Sequence, residues 1–340
     1  VPVPPGKQPT QQEIATDLGI SVAAVSLALS GKPGVSDQVR ATVLEKATAL
    51  GYRRNASAVA LRTRRSNVLG LLIRNLRNPF FLDLIDGFDE ACAKAGYEVM
   101  VGSSRYDQER EQKLLDTFAD RGLDGLAVAP IGRGRAVGAW AAATERPVVV
   151  LNAPRRRAGR LAMSVSPDGP AAVQLAVEHL RGLGHQRIAM VAAPAEKSPD
   201  PERLELFLDL AAEERFTASV IEAELDLNTT REAVCRALGD APGRRPTAFI
   251  TNSDYLAHAV YLAAADHGLR IPEDVSVVGH DDLPTSAILN PPLTTLRVDR
   301  HRLGAEAAGL LIDAVEGREP PSLELTIPVS LEVRGSTASA

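Results

Sequence analysis

Glu13-Ile14-Ala15-Thr16-Asp17-Leu18-Gly19-Ile20-Ser21-Val22-Ala23-Ala24-Val25-Ser26 decides how the front of this 340-residue chain is read. Ala15 is small where one helix must lie close to another. Gly19, four residues on, can take the positive φ of a sharp turn. Ile20 follows as a buried plug. Ser21 is placed to cap a second helix, with Val22, Val25 and Leu29 on its inner face. A small residue, a glycine four later and a β-branched apolar residue six after that form a helix-turn-helix pattern. Its second helix is shaped for the DNA major groove. An ordinary αα-hairpin in a core is the plainer alternative.

Outward from that stretch, Thr10-Gln11-Gln12-Glu13 is a capping box that starts the first helix. Ser36-Asp37 caps a third helix, whose Val39, Val43, Leu44, Ala47 and Leu50 recur at helical spacing before Gly51. Three helices in some fifty residues make a mini-domain. Asn55 then caps a helix-favouring segment over 55–62, far too short to be stable alone in water. It reads as an element that orders only with a partner, or as a plain linker with helical bias. Residues 1–65 carry net +5 and residues 66–340 net −10. A basic head on an acidic body suits polyanion binding by the head.

From Asn67 the rhythm changes. Val68-Leu69-Gly70-Leu71-Leu72-Ile73 is a continuous apolar run, as a strand buried on both faces requires. Helices near 80–95, 108–121 and 136–144 alternate with strands near 98–101, 125–129 and 148–151. The alternation restarts after Pro167, with strands near 188–192, 218–221, 248–251 and 275–279. This predicts two similar doubly wound parallel-sheet units. Ligands in such sheets bind outside the carboxyl ends of the strands, so two facing units make a cleft. A helix near 301–315 and an extended stretch over 323–333 are expected to cross back between them.

Composition narrows the function classes. The chain is 45% hydrophobic but 4% aromatic, so aliphatic packing must dominate its core. No apolar run reaches the length of a membrane span, and the Pro-rich start has no signal-peptide core. A cytoplasmic protein without membrane attachment is expected. Cys92 and Cys235 are too few and too far apart for a disulfide framework, and no metal-ligand spacing appears. No G-x-S-x-G elbow, H-E-x-x-H or phosphate loop is present, and the six histidines are scattered. No enzyme, metal or cofactor is expected.

Several segments together resemble the LacI/GalR family of bacterial transcription regulators: the stretch over 13–26, Gly31-Lys32-Pro33-Gly34-Val35-Ser36, Leu50-Gly51-Tyr52-Arg53, Asn78-Pro79-Phe80-Phe81, Glu178-His179-Leu180, Pro272-Glu273-Asp274-Val275-Ser276-Val277-Val278-Gly279 and Pro292-Leu293-Thr294-Thr295. The match runs from about residue 9 to 337. The resemblance implies a multidomain chain: an all-α helix-turn-helix head (8–54), a hinge helix and linker (55–65), and an α/β periplasmic-binding-protein-like core (66–338). Within the core it places one subdomain at about 66–165 plus 296–325 and the other at about 166–292 plus 326–338. It also implies a homodimer, in some members a tetramer, on a near-palindromic double-stranded DNA operator, controlled by a small molecule such as a carbohydrate or derivative. A repressor is the leading reading; an activator or corepressor-dependent regulator on the same scaffold, or a solute-binding protein, are the alternatives.

The resemblance also places roles on residues. Val22, Ala23 and Leu27 fall where the family reads base edges, and offer only apolar contact, for instance with thymine methyls. Leu27 stands where the family often has an arginine. Ser21, Ser26, Ser36 and Asn55 can bond phosphates, with helix capping an equal contender for the serines. Leu61 matches the leucine that wedges into the minor groove, Ala58 is small where paired hinge helices approach, and Arg62 follows to hold phosphate. In the core, Asp168, Arg203 and Asp281 match effector-cleft positions, Phe80 and Phe81 would form an apolar wall, and Ser253 lines the cleft where the family often has another polar residue. Gly169 and Leu206, and the loop over 193–201, depart from the family pattern and point away from a typical sugar.

Overall fold

A computed structural model describes residues 9–52, 65–132, 134–153, 162–194, 202–223, 226–241 and 243–340. The chain divides into two units, Val1–Ser66 and Asn67–Ala340. The expected hinge helix, with Asn55, Ala58, Leu61 and Arg62, lies outside the described residues.

The first unit contains α1 (Gln11–Leu18), α2 (Val22–Leu29) and α3 (Asp37–Ala49). Its capping box is reciprocal: the Thr10 amide donates to Glu13 Oε2 at 2.8 Å and the Glu13 amide to Thr10 Oγ1 at 3.2 Å. Gly19 closes α1 at φ 64°, and α2 departs at 111° to it. This is the helix-turn-helix angle. Ile14, Ala15, Val25, Ala28, Val43 and Ala47 form the small core. Two expectations fail here. Val22 is 36% exposed, because the first residue of a helix has neighbours on one side only; Val25 is buried and Leu29 packs on the core as expected, with Ala28 completing the inner face. Leu44 is 47% exposed, since it sits about 100° around α3 from buried Val43. Arg40 donates to the carbonyls of Leu27, Ala28 and Lys32, satisfying the open end of α2.

The second unit has two lobes. In the first, β1 (Val68–Ile73), β2 (Glu98–Ser103), β3 (Gly125–Val128), β4 (Val148–Leu151), β5 (Met163–Pro167) and β11 (Glu324–Ile327) form a parallel sheet in the order β11-β5-β4-β3-β1-β2. One apolar cluster joins one face to α4 (Phe80–Lys94) and α11 (Arg300–Glu316); the opposite face meets α5 (Gln108–Asp120) and α6 (Arg135–Thr144). The second lobe repeats this plan. Its strands are β6 (Arg187–Ala192), β7 (Thr217–Glu222), β8 (Ala248–Thr251), β9 (Ser276–Asp281), β10 (Thr294–Val298) and β12 (Val329–Glu332), in the order β12-β10-β9-β8-β6-β7. Only β12 runs antiparallel to its neighbour. Helices α7 (Gly169–Gly182) and α8 (Glu202–Glu213) pack on one face, α9 (Leu227–Leu238) and α10 (Asp254–Asp266) on the other.

The lobe boundaries differ by a few residues from expectation. Residues up to Pro167 belong to the first lobe because β5 pairs with β4 and β11. Leu296 to Val298 belong to the second, where β10 lies between β9 and β12. Thr326 and Ile327 extend β11 in the first. The chain therefore crosses between lobes three times, after Pro167, after Val298 and at Pro328. The pair α4–α11 is unusually close: a Cβ on Gly87 would run into the His301 carbonyl, and one on Gly304 into that of Leu84. The two helix backbones are therefore in direct contact at these glycines.

Candidate functional site

On the head, Ser21, Val22 and Ala23 are exposed at the start of α2, while Ser26 and Leu27 are half-buried. Ser21 Oγ accepts the Ala24 amide at 3.1 Å and Ser36 Oγ the Val39 amide at 3.3 Å, so both serines do cap helices. A capping hydroxyl accepts through its oxygen and keeps its own hydrogen available to a further acceptor.

In the core a cavity of about 580 Å³ opens where the strand ends of the two lobes face one another. Phe80, Phe81, Asp168, Arg203, Ser253 and Asp281 all line it. Two of them begin helices there. Asp168 caps α7 by accepting the Ala171 amide at 3.0 Å, and Ser253 caps α10 by accepting the Leu256 amide at 3.3 Å. Phe80 and Phe81 open α4 and stack edge to face, centroids 5.3 Å apart. Gly169 also lines the cavity; Leu206 packs against the second lobe's apolar cluster.

The rule that carries most of the lining is positional. Arg74 follows β1, Asn152 follows β4, Asn252 follows β8, and Asp281 ends β9. Carboxyl ends of parallel strands collect at one edge of each sheet. Arg74 is held across the floor by the carbonyls of Pro130 (3.1 Å) and Asn152 (3.3 Å). Tyr106 lies nearby; burial raises its pKa, with Asn78 and Arg74 opposing.

Asp281 is 3% exposed. Burial pushes its carboxyl up to about 8, against the pull of Arg300 and Arg203. His280 Nδ1 lies 3.0 Å from its Oδ1, while Oδ2 has no hydrogen-bond partner among the described residues. The Oδ1 atoms of Asn152 and Asn252 are likewise buried without one. Unmet buried acceptors cost ~1–3 kcal/mol each, which a hydroxyl-bearing ligand would return. Behind Asp281, Asp254 accepts the Leu283 amide (2.8 Å), Ser286 Oγ (2.5 Å) and Thr295 Oγ1 (2.6 Å). Burial first, then Asp281, push it up to about 7.

Residues 177–337 match the periplasmic binding protein-like domain family. The HTH-type transcriptional regulator MalR of Streptomyces coelicolor is 34% identical over 340 residues, covering 96% of this chain and 96% of its own. The chain belongs to the LacI family of transcriptional regulators. Among solved structures, the Lac repressor dimer bound to operator and the anti-inducer ONPF superposes with TM-score 0.86 at 25% identity, over 98% of this chain and 100% of that one. A LacI family regulator from Enterococcus faecium with bound ribose does so with TM-score 0.70 at 26% identity, over 80% and 99%. These relatives are named regulators and not enzymes.

Elsewhere, Cys92 and Cys235 are free thiols. Burial pushes Cys92 up to about 12, fitting an inert core position. Asp86, Glu90 and His301 bring possible ligand atoms within 4.8 Å of one another, a cluster that the linear spacing did not suggest; all three are exposed. Among the described residues no single helix is long and apolar enough to cross a membrane.

Proposed function

We propose that this LacI family protein is a repressor that binds a near-palindromic operator as a homodimer and responds to a sugar-like molecule in the core cavity. The observation that carries the reading is the pairing, on one chain, of an exposed recognition-helix start with a cavity lined by buried, unmatched acceptors. Val22 and Ala23 present apolar surface to base edges, with Leu27 behind them. Ser21, Ser26, Ser36 and Asn55 donate to phosphates, and Leu61 with Ala58 and Arg62 enters the minor groove at the dyad.

The cavity's size lies within the ~300–1,000 Å³ of pockets that enclose a whole small ligand. Phe80 and Phe81 offer an apolar wall for a ring face, and Asp168, Arg203, Ser253 and Asp281 the polar groups for hydroxyls. The operator-bound dimer and the ribose complex among the structural neighbours support both halves of the reading. The coupling between them requires that the ligand bind one arrangement of the lobes more tightly than the other.

Fluorescence anisotropy with DNA from upstream of the gene tests it. Binding should weaken linearly in log K against log salt. One of ribose, glucose, maltose or cellobiose should shift that affinity. Equal affinity for unrelated DNA, unmoved by every sugar, would reject it.

A further inference from the structure

We propose that Arg300 is the positioning residue of the ligand cavity: its guanidinium fixes the Asp281–Asp282 turn of the second lobe and ties that turn to α4 of the first. The inference rests on the cavity reading for its functional meaning, but the physical link needs no ligand. Arg300 is the first residue of α11 and only 8% exposed. A cation there opposes the helix dipole, so the helix itself gives no reason for it. Its contacts do. Nε and Nη2 donate to Asp83 on α4 at 3.0 and 2.5 Å, and Nη1 donates to the carbonyls of Asp281 and Asp282. One planar fork thus holds backbone from one lobe and a carboxylate from the other.

The turn it holds is strained. Asp281 and Asp282 sit at φ 115° and 53°, where side-chain-bearing residues rarely rest. From the second lobe, Arg297 and Arg334 grip the Asp282 carboxylate at 3.2 and 2.6 Å. Arg297 and Arg300 flank the Val298 crossover, so both anchors lie on one of the three strands of chain joining the lobes. On the other side, α4 and α11 are locked by their glycines, and α4 begins with Phe80 and Phe81 in the cavity wall. A ligand drawing on the Asp281 carboxylate therefore pulls a rigid path that ends at the opposite wall. The charges facing that carboxylate are His280 on its own strand, Asp254 from α10, Arg203 from α8, Arg300 from α11, and the Tyr106 phenol across the cavity. Of these, Arg300 is the strongest cationic influence.

The test uses the full-length, ligand-free protein and hydrogen exchange at two amides. The Asp282 amide donates to Thr295 Oγ1 at 3.4 Å and the Leu283 amide to Asp254 Oδ2 at 2.8 Å. Arg300→Met should speed exchange at both by roughly ten-fold or more. Arg300→Lys should not rescue, because an ammonium cannot bridge both sets of acceptors. Asp83→Asn, an isosteric change in the other lobe that spares the fold, should speed the same two amides. In Arg300→Met the pH at which Asp281 ionises should also rise. Changes confined to the first turn of α11, a silent Asp83→Asn, or full rescue by lysine would overturn the link. Failure of every sugar to bind would instead overturn the effector reading and leave these exchange results standing.

Discussion

Among the described residues of the head, the buried side chains are all aliphatic, and every residue assigned to DNA is exposed or half-buried. In the core, two carboxylates, two arginines and a histidine are enclosed around or behind the cavity. Apart from the two capping serines, the head keeps function outside its folding energetics; the core builds function into them. Enclosed polar groups are costly, and proteins retain them where a site needs them. The contrast makes burial a guide to function in the core and useless for it in the head.

The largest expected effect tests whether the head's small core stands by itself. Ile14→Ala truncates one of the six buried side chains among the head's described residues, at a cost of ~2–5 kcal/mol. A domain this small commonly has only ~3–5 kcal/mol in hand. The head should unfold and operator binding vanish, while the core's thermal transition stays in place by calorimetry. A shared shift of one transition would break the contrast.

Next comes the ligand side. Asp281→Ala removes an enclosed acceptor facing the cavity. Leaving the ligand's polar group unmet costs ~1–3 kcal/mol, so affinity for whichever sugar binds the native protein should fall about five-fold to over one hundred-fold by calorimetric titration. An unchanged affinity would remove Asp281 from the site.

The same carboxyl gives the core a pH signature that the head lacks. Asp281 and Asp254 are raised to about 8 and about 7, against ~4 for an unfolded aspartate. The folded state thus holds protons that the unfolded state has lost. Stability is full below pH ~4 on this account and falls as pH rises through 7 and 8, by at most about 1.4 kcal/mol per pH unit for each carboxyl. His179, His185 and His258, lowered by burial, act in the opposite sense, adding stability as pH rises toward and past their ordinary value of ~6.5. Melting curves from pH 7 to 8.5 therefore report chiefly on the pair. The core transition should drop across that range and drop less in Asp254→Asn, where Asp281 still titrates; a flat native profile would mean both groups ionise normally.

How much of this the sequence disclosed follows the same division. Apolar runs such as 68–73 and 188–192 marked strands buried on both faces, and the six residues named for the cleft all reach it, because strand ends converge in this topology. Arg74, Asn152, Asn252 and His280 were equally placed beside strand ends and passed over, since polar residues after an apolar run look like ordinary turns. Strand β5 escaped because Met163-Ser164-Val165-Ser166 alternates and is short. Arg300 was beyond reach: its partner Asp83 is 217 residues away, and only the tertiary crossing brings them together. In the head, spacing placed Val22 inward, whereas its position at the helix start left it outside.

The smallest effect bears on that outer face. Ser21 caps α2, so a loss of operator affinity in Ser21→Ala would mix a frayed helix with a missing phosphate donor. Glycine separates them. As an N-cap it costs only a few tenths of a kcal/mol, whereas alanine costs ~0.5–2 kcal/mol. In Ser21→Gly the head's melting should barely move, yet the hydroxyl is gone. If that hydroxyl donates to a phosphate, affinity should fall by ~0.5–1.5 kcal/mol for operator and unrelated DNA alike. The salt slope should hold, since no charge has been removed. If affinity instead tracks stability through both variants, Ser21 serves the fold alone and leaves the set of phosphate contacts.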